Sequence, residues 1–521
     1  MRNHRFIWVM LIGVFIGNSW LQGQSINPQG SPPVATSSES KSGLKEKVPL
    51  EKPILTEHTI QLTGQPFTYQ SSAGYMPIKS EDGKTTAQIF YIAYTHGPAS
   101  NNNTRPITFS FNGGPGSSSV WLHLGVLGPK RVVMGEQGEL LKPPFKLVPN
   151  EYSLLQHSDL VFIDPVSTGY SRTTEAGKPT DFHGVKQDVQ SVAEFIRLYL
   201  VHNNRWASPK FVIGESYGTT RAAALALHLA DQHGIYLNGI MLVSAILNFQ
   251  TARFEEGNDM PYILYLPSYT ATAWYHKKLP ADLQSDFKKT LAEAEAFAEG
   301  PYATALLKGN KLSRDEKRQI AQQVARLTGL SEEYVLQTNL RINSMFFMKE
   351  LMRSEGKTVG RFDSRITGID ASGVGQAFDY DPSYSTVLGP YAQTINHYLR
   401  TELHYNNDLP YEILTNKVQP WDFSSAQNRY LNVAVDLRQA MTKNPHLQLF
   451  VASGYYDLAT PYYAMDYTIN HLSYRSNLHE RVTKAYYPAG HMMYIQTESL
   501  KKLSKDLADF VRAVQAEPKG K

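Results

Sequence analysis

Along the chain, runs in which nearly every position is apolar alternate with stretches in which apolar residues recur every three or four. Ala87 to Tyr94 and Pro106 to Phe111 are short β-type runs bounded by Gly, Asn and Pro. Asp159 to Asp164, Lys210 to Gly214 and Gly239 to Leu247 are close to continuously apolar, the pattern of strands buried on both faces of a parallel sheet. Between the first two of these, Val185, Val189, Val192, Phe195, Ile196 and Tyr199 fall on one helical face, as a crossover helix covering a sheet requires. A second helix is predicted from about Tyr217, and strands resume at His446 to Ala452 and Val482 to Tyr487. The fold class predicted is α/β with a mostly parallel central sheet.

The strand pattern is interrupted between residues 256 and 425, and much of that interval reads as helical. Ser313 and Glu316 form a capping box ahead of Ile320, Val324 and Leu327, with Gly329 as the stop. A further helix is predicted from Glu332 to Arg353, and residues 356–425 read as loop-rich. An insertion leaving the C-terminal ends of parallel strands is placed to roof a site, so 256–425 is read as a cap between two core parts, 53–255 and 426–515.

At the other end, Arg2 and Arg5 precede an apolar run from Phe6 to Gly17 and a small, polar stretch, the order of a secretory signal over 1–24. That run covers about 18 Å as a helix, short of the roughly 30 Å hydrocarbon core, so cleavage near Ser19 to Gln24 is expected rather than anchorage. Residues 25–52 are too poor in aromatic and apolar groups to order themselves and read as a leader. The expected location is secreted or periplasmic, with no stable membrane partner.

Composition narrows the function classes. Apolar residues at 42% against 19% charged exclude a disordered chain, and a net charge of +4 without a block of like charges gives no reason to expect nucleic-acid binding. The absence of cysteine removes disulfides, thiolate metal sites and a Cys nucleophile. No His/Asp/Glu spacing calls for a metal and no glycine pattern for a nucleotide, so no cofactor is expected.

Gly214-Glu215-Ser216-Tyr217-Gly218 lies between a buried strand and a helix, the context of a nucleophile elbow with Ser216 at its tip. A serine nucleophile needs a base and an orienting acid. Asp457 directly follows the strand ending near Ala452, and His491 follows the one ending near Tyr487. Asp466, on a helix face with Tyr462 and Ile469, is the rival acid. Asn112-Gly113-Gly114-Pro115-Gly116-Ser117-Ser118 follows an early strand, and its glycines let backbone N–H groups approach a reacting carbonyl.

These four motifs, in this order, resemble the serine carboxypeptidase family (peptidase family S10), and Phe162 to Ser171 is similar to the family's segment between the first two; the likeness spans about residues 85–510. The resemblance implies an α/β-hydrolase fold with an inserted, largely helical cap, a serine carboxypeptidase that removes C-terminal residues from peptides through an acyl-enzyme, with a peptide or small acyl substrate as its partner. By the same resemblance Ser216 is the nucleophile, His491 the base, Asp457 its orienting acid, and the N–H groups of Gly114 and Tyr217 the oxyanion hole. Asn112, Gly113 and Glu215 match substrate-binding positions, where a protonated Glu215 would donate to the terminal carboxylate.

Two departures stand out. Val126 occupies the place of a second family Glu, in Val126-Leu127-Gly128-Pro129, which puts exopeptidase preference and an acidic optimum in question; Lys130 or Arg131 is a candidate for a compensating cation. Ser117 stands where eukaryotic members carry Cys, which fits a bacterial-type branch. The same acyl-enzyme chemistry serves an esterase, amidase or acyltransferase. A silent binding protein is the reading from another class, and the intact Ser216, Asp457 and His491 argue against it.

Overall fold

The apolar runs become strands of one ten-stranded sheet, seen in a computed structural model that describes residues 52–62, 64–97, 104–472 and 477–516. The predicted signal over 1–24 and the leader up to residue 51 lie outside the described residues. The main strands are β1 (Ile54–Leu62), β2 (Gln65–Lys79), β3 (Thr85–Thr95), β4 (Ile107–Phe111), β5 (Asp159–Ile163), β6 (Lys210–Ser216), β7 (Gly239–Ala245), β8 (Gln448–Gly454) and β9 (Val482–Tyr487). They lie in the order β1-β2-β3-β5-β4-β6-β7-β8-β9, and the two-residue strand Arg172–Thr173 pairs with β3 off this path. From β5 to β9 every neighbouring pair is parallel, while β1, β2 and β3 form an antiparallel extension.

Both faces of the sheet are covered, which is why its strands read as continuous apolar runs. Phe211, Ile213, Met241 and Val243 pack with Leu503, Leu507 and Phe510 of the C-terminal helix. The alternate residues Val212, Ile240 and Leu242 pack on the other face with Val192, Phe195 and Ile196 of α1 (Val185–His202) and Leu225 and Leu229 of α2 (Tyr217–His233). Side chains of a strand point alternately to its two faces, so one strand feeds both layers.

The chain leaves the sheet after β7 and returns at β8, and the intervening cap is largely helical. α3 (Met260–Tyr275) and α4 (Phe287–Phe297) pack with α5 (Arg314–Thr328) around Tyr269, Ala294, Val324 and Leu327. The predicted capping box is present: Glu316 N–H donates to Ser313 Oγ at 3.2 Å, and Ser313 N–H to Glu316 Oε2 at 2.8 Å.

Two expectations for the cap need correction. The predicted helix from Glu332 to Arg353 is two short helices, Glu332–Gln337 and Ser344–Glu350. Asn339 and Leu340 between them have positive φ, and the Leu340 and Ile342 carbonyls accept from the hydroxyls of Tyr302 and Tyr269, a tertiary use of backbone groups that a continuous helix would consume. The interval 356–425, read as loop-rich, contains the twenty-residue helix α6 (Pro382–Thr401). Its Gly389 and Pro390 mask the helical period, but Tyr391, Ile395, Tyr398 and Leu399 bury one face against the core.

Candidate active site

β6 runs directly into α2 at Ser216, whose φ of 58° and ψ of −129° are strained for a residue with a Cβ. Such a backbone costs of order 1–3 kcal/mol and persists only where its surroundings enforce it. Here they do: a Cβ on Gly214 would strike the Gly218 carbonyl, and one on Gly113 would strike the Tyr217 amide nitrogen. The elbow and the Asn112–Gly114 loop therefore lie backbone against backbone. Gly114, Ser216 and Tyr217 line one cavity, and the positive end of α2 points into it.

That loop is held from behind by a buried cation. Arg221 of α2 donates through Nη1 to the Asn112 carbonyl at 2.7 Å and through Nε to Asp188 Oδ2 of α1 at 2.7 Å. Its guanidinium also stacks over the rings of Phe111 and Tyr217.

The acid and base arrive on the loops after β8 and β9. His491 Nδ1 lies 2.7 Å from Asp457 Oδ2, and the carboxylate is fixed in turn by the N–H groups of Ala459 at 2.8 Å and Thr460 at 2.9 Å on Oδ1. The Thr460 hydroxyl lies 2.7 Å from Oδ2. With Nδ1 so engaged, the His491 ring presents Nε2 as its free nitrogen. His491 and Ser216 line a common cavity. Asp466, the rival acid, accepts instead from Tyr486 at 2.7 Å and pairs with Lys484 at 2.6 Å.

Glu215 and His491 bear on each other. Burial is the main force on Glu215, raising its carboxyl to about 7 against the opposing effects of the His491 charge and of hydrogen bonds from Tyr494 and Asn112. Burial pulls the His491 imidazole down, yet Asp457, through charge and hydrogen bond, and then the Glu215 charge hold it above its ordinary value. The Tyr494 hydroxyl donates to Glu215 Oε2 at 2.7 Å, and the Leu122 N–H donates to Asn112 Oδ1 at 3.1 Å, leaving the Asn112 amide group for Glu215.

Val126, at the place of the second family carboxyl, is fully buried in the apolar core. Tyr494 packs against the neighbouring Gly125 so closely that a Cβ there would strike its ring. A phenol therefore meets Glu215. The compensating role considered for Lys130 and Arg131 is contradicted: Lys130 pairs with Glu402 at 2.8 Å, Arg131 with Glu151 at 3.4 Å, and neither lines the cleft.

Two cavities meet at Ser216. One, of about 280 Å³, is lined by Asn112, Gly113, Glu215, Trp121, Tyr384 and His491. The other, of about 310 Å³, is lined by Tyr217, Phe249, Arg253, Phe254, Tyr265 and Leu458, and Gly114, Pro115 and Arg361 border both. Among the described residues no cluster of His, Asp or Glu is arranged to hold a metal, and no helix is long and apolar enough to cross a membrane. Sequence reasoning missed Tyr494, Thr460, Arg221, Arg253 and Arg361, none of which carries a local motif.

With this geometry in view, known proteins supply the kinship. The family profile for serine carboxypeptidases matches residues 62–507. Serine carboxypeptidase-like 36 of Arabidopsis thaliana is 30% identical over 196 residues, 36% of this chain and 37% of that one. Pheromone-processing carboxypeptidase KEX1 of Saccharomyces cerevisiae is 32% identical over 160 residues, 28% of this chain and 21% of that one, so the aligned part is well under half of either relative. The crystal structure of KEX1(delta)p superposes with a TM-score of 0.54 at 19% identity, over 85% of this chain and 91% of that one, which establishes the shared α/β-hydrolase fold. The match over residues 62–507 makes this chain a member of the serine carboxypeptidase family, peptidase family S10.

Proposed function

We propose that the chain is an exported serine carboxypeptidase that releases C-terminal residues from peptides through an acyl-enzyme on Ser216. His491 Nε2 takes the Ser216 hydroxyl proton as Oγ attacks the scissile carbonyl, and the Gly114 and Tyr217 N–H groups receive the oxyanion. Asp457 holds the imidazolium that forms. His491 then passes the proton to the leaving amine, so the departing residue occupies the cavity that His491 lines, and the acyl part occupies the other. Water, activated by His491 in the same way, releases the acyl group.

The observation that carries this reading is Glu215: a buried carboxyl raised to about 7, beside Asn112 and in the leaving-group cavity. Protonated, it donates a hydrogen bond to a carboxylate, a task an ionised carboxyl cannot perform. A free C-terminus is thus distinguished from an amide or ester at the leaving side. The signal pattern of residues 1–24 supports export.

Mass spectrometry of the products from an N-blocked peptide, its C-terminal amide and a simple ester tests the proposal. Release of single residues from the free acid in preference to the amide is expected. Cleavage of acid and amide alike, or of the ester alone, would favour a general acyl hydrolase, the reading to which the loss of a second carboxyl at Val126 points.

A further inference from the structure

The acyl-side cavity carries two cations that the reaction does not use. Arg253 and Arg361 line it, and among the described residues no Asp or Glu does. Each guanidinium lies over an aromatic ring of its own neighbourhood, Arg253 5.7 Å from the Phe249 centroid and Arg361 5.5 Å from that of Phe362. The acid nearest in sequence to Arg253, Glu255, is turned to the Tyr430 hydroxyl at 3.0 Å. Burial drives the Tyr265 phenol up; Arg361 and Arg253 oppose that shift, while the Asp457 charge adds to it.

The Arg361 backbone is tied to the Asp457 loop, and that of Arg253 to its own loop. The Arg361 carbonyl accepts from Leu458 N–H at 3.1 Å, one residue from Asp457, and its N–H donates to Asp381 Oδ1 at 3.1 Å. The Arg253 carbonyl accepts from Asn258 Nδ2 at 2.8 Å. Phe249, Phe254, Phe423 and Leu458 supply apolar wall beside the two cations.

We infer that this cavity selects substrates with an acidic side chain on the acyl side of the scissile bond, Glu or Asp as the penultimate residue, paired with Arg253 and Arg361. The assignment of this cavity to the acyl side rests on the acyl-enzyme step of the carboxypeptidase reading, not on its choice of a free C-terminus. Arg361 borders both cavities, whereas Arg253 lines only this one, so Arg253 is the discriminating position.

The test uses N-blocked dipeptides with Phe as leaving residue and Glu, Gln, Ala or Lys on the acyl side, beside the p-nitrophenyl esters of the same four N-blocked residues. Enzyme is normalised by active-site titration. Both arginines are exposed, so on both series kcat/KM for Glu is expected to exceed that for Gln by about 2- to 5-fold, the worth of solvent-screened ion pairs. The Glu/Gln ratio falls towards one in the Arg253→Met, Arg361→Met double variant, and Arg253→Glu shifts preference towards Lys. A wild-type ratio near one, or a ratio unchanged in the double variant, overturns the inference; if the peptides are cleaved all the same, the carboxypeptidase reading survives it. Inert peptides with esters that keep the Glu preference would leave the cavity assignment standing and remove the carboxypeptidase reading.

Discussion

Glu215 sits between two demands. In the proposed reaction it must be protonated to bind a carboxylate, while its neighbour His491 must be neutral to accept the Ser216 proton. Because each charge favours the opposite charge on the other, the two titrations are coupled, and the productive arrangement for the proposed reaction is Glu215 protonated with His491 neutral. With Glu215 raised to about 7, the protonated form dominates below that pH and is lost as pH rises through it. Replacing Tyr494 by Phe removes a donor that favours the ionised form, so the alkaline fall for free-acid peptides is expected to move to higher pH, read from kcat/KM profiles. Ser216→Ala is expected to cut kcat by about 10⁶ with the circular dichroism spectrum and melting curve retained. Activity near wild type would mean the nucleophile is another residue. At this scale Ser216, Asp457 and His491 were legible because each follows a strand end, a position with geometric meaning. Tyr494 and Arg361 were not, since only folding brings them to Glu215 and Ser216.

The elbow and the oxyanion loop stay in register because α1 and α2 clamp them through one buried ion pair. Arg221 is 1% and Asp188 3% exposed at the side chain, so neither charge has water to fall back on. Burial raises the Asp188 carboxyl, and the Arg221 charge is what opposes that shift. Arg221→Met is therefore expected to cost about 3–5 kcal/mol in urea denaturation, the usual penalty for stranding a buried charge. The Arg221→Met, Asp188→Leu pair should recover part of that loss, while kcat stays low because the Asn112 carbonyl has lost its anchor. A single variant no less stable than wild type would contradict the clamp. The strands and crossover helices were legible for the same reason they are stable: burial on both faces leaves a continuous apolar run. Within the cap, whose capping box at Ser313 and Glu316 was legible, two features were not: α6 spends its period on Gly389 and Pro390, and the break at Asn339 and Leu340 is set by tyrosines of distant helices.

Across the molecule, cap and core meet where residues 361–365 tie both catalytic loops together. His491 N–H donates to the Phe362 carbonyl at 2.6 Å, Ser364 N–H to that of Tyr456 at 3.0 Å, and Leu458 N–H to that of Arg361 at 3.1 Å. Buried Asp363 pairs with Arg365 at 2.6 Å and accepts from Gly490 N–H at 3.2 Å. Asp363→Ala is expected to lower kcat by about 10²-fold through displacement of His491, with KM for esters little changed. Loss of binding without loss of kcat would put the effect elsewhere. The central proposal is that a buried carboxyl reads a free C-terminus beside the triad. Its most direct test is the ratio of kcat/KM for a free-acid peptide to that for its amide, measured from pH 5 to 9 in wild type and in Glu215→Gln. The account predicts a wild-type ratio that falls as pH passes about 7, and a ratio independent of pH in the variant, whose amide donates at every pH. A flat wild-type ratio, or a fall that persists in Glu215→Gln, would contradict it.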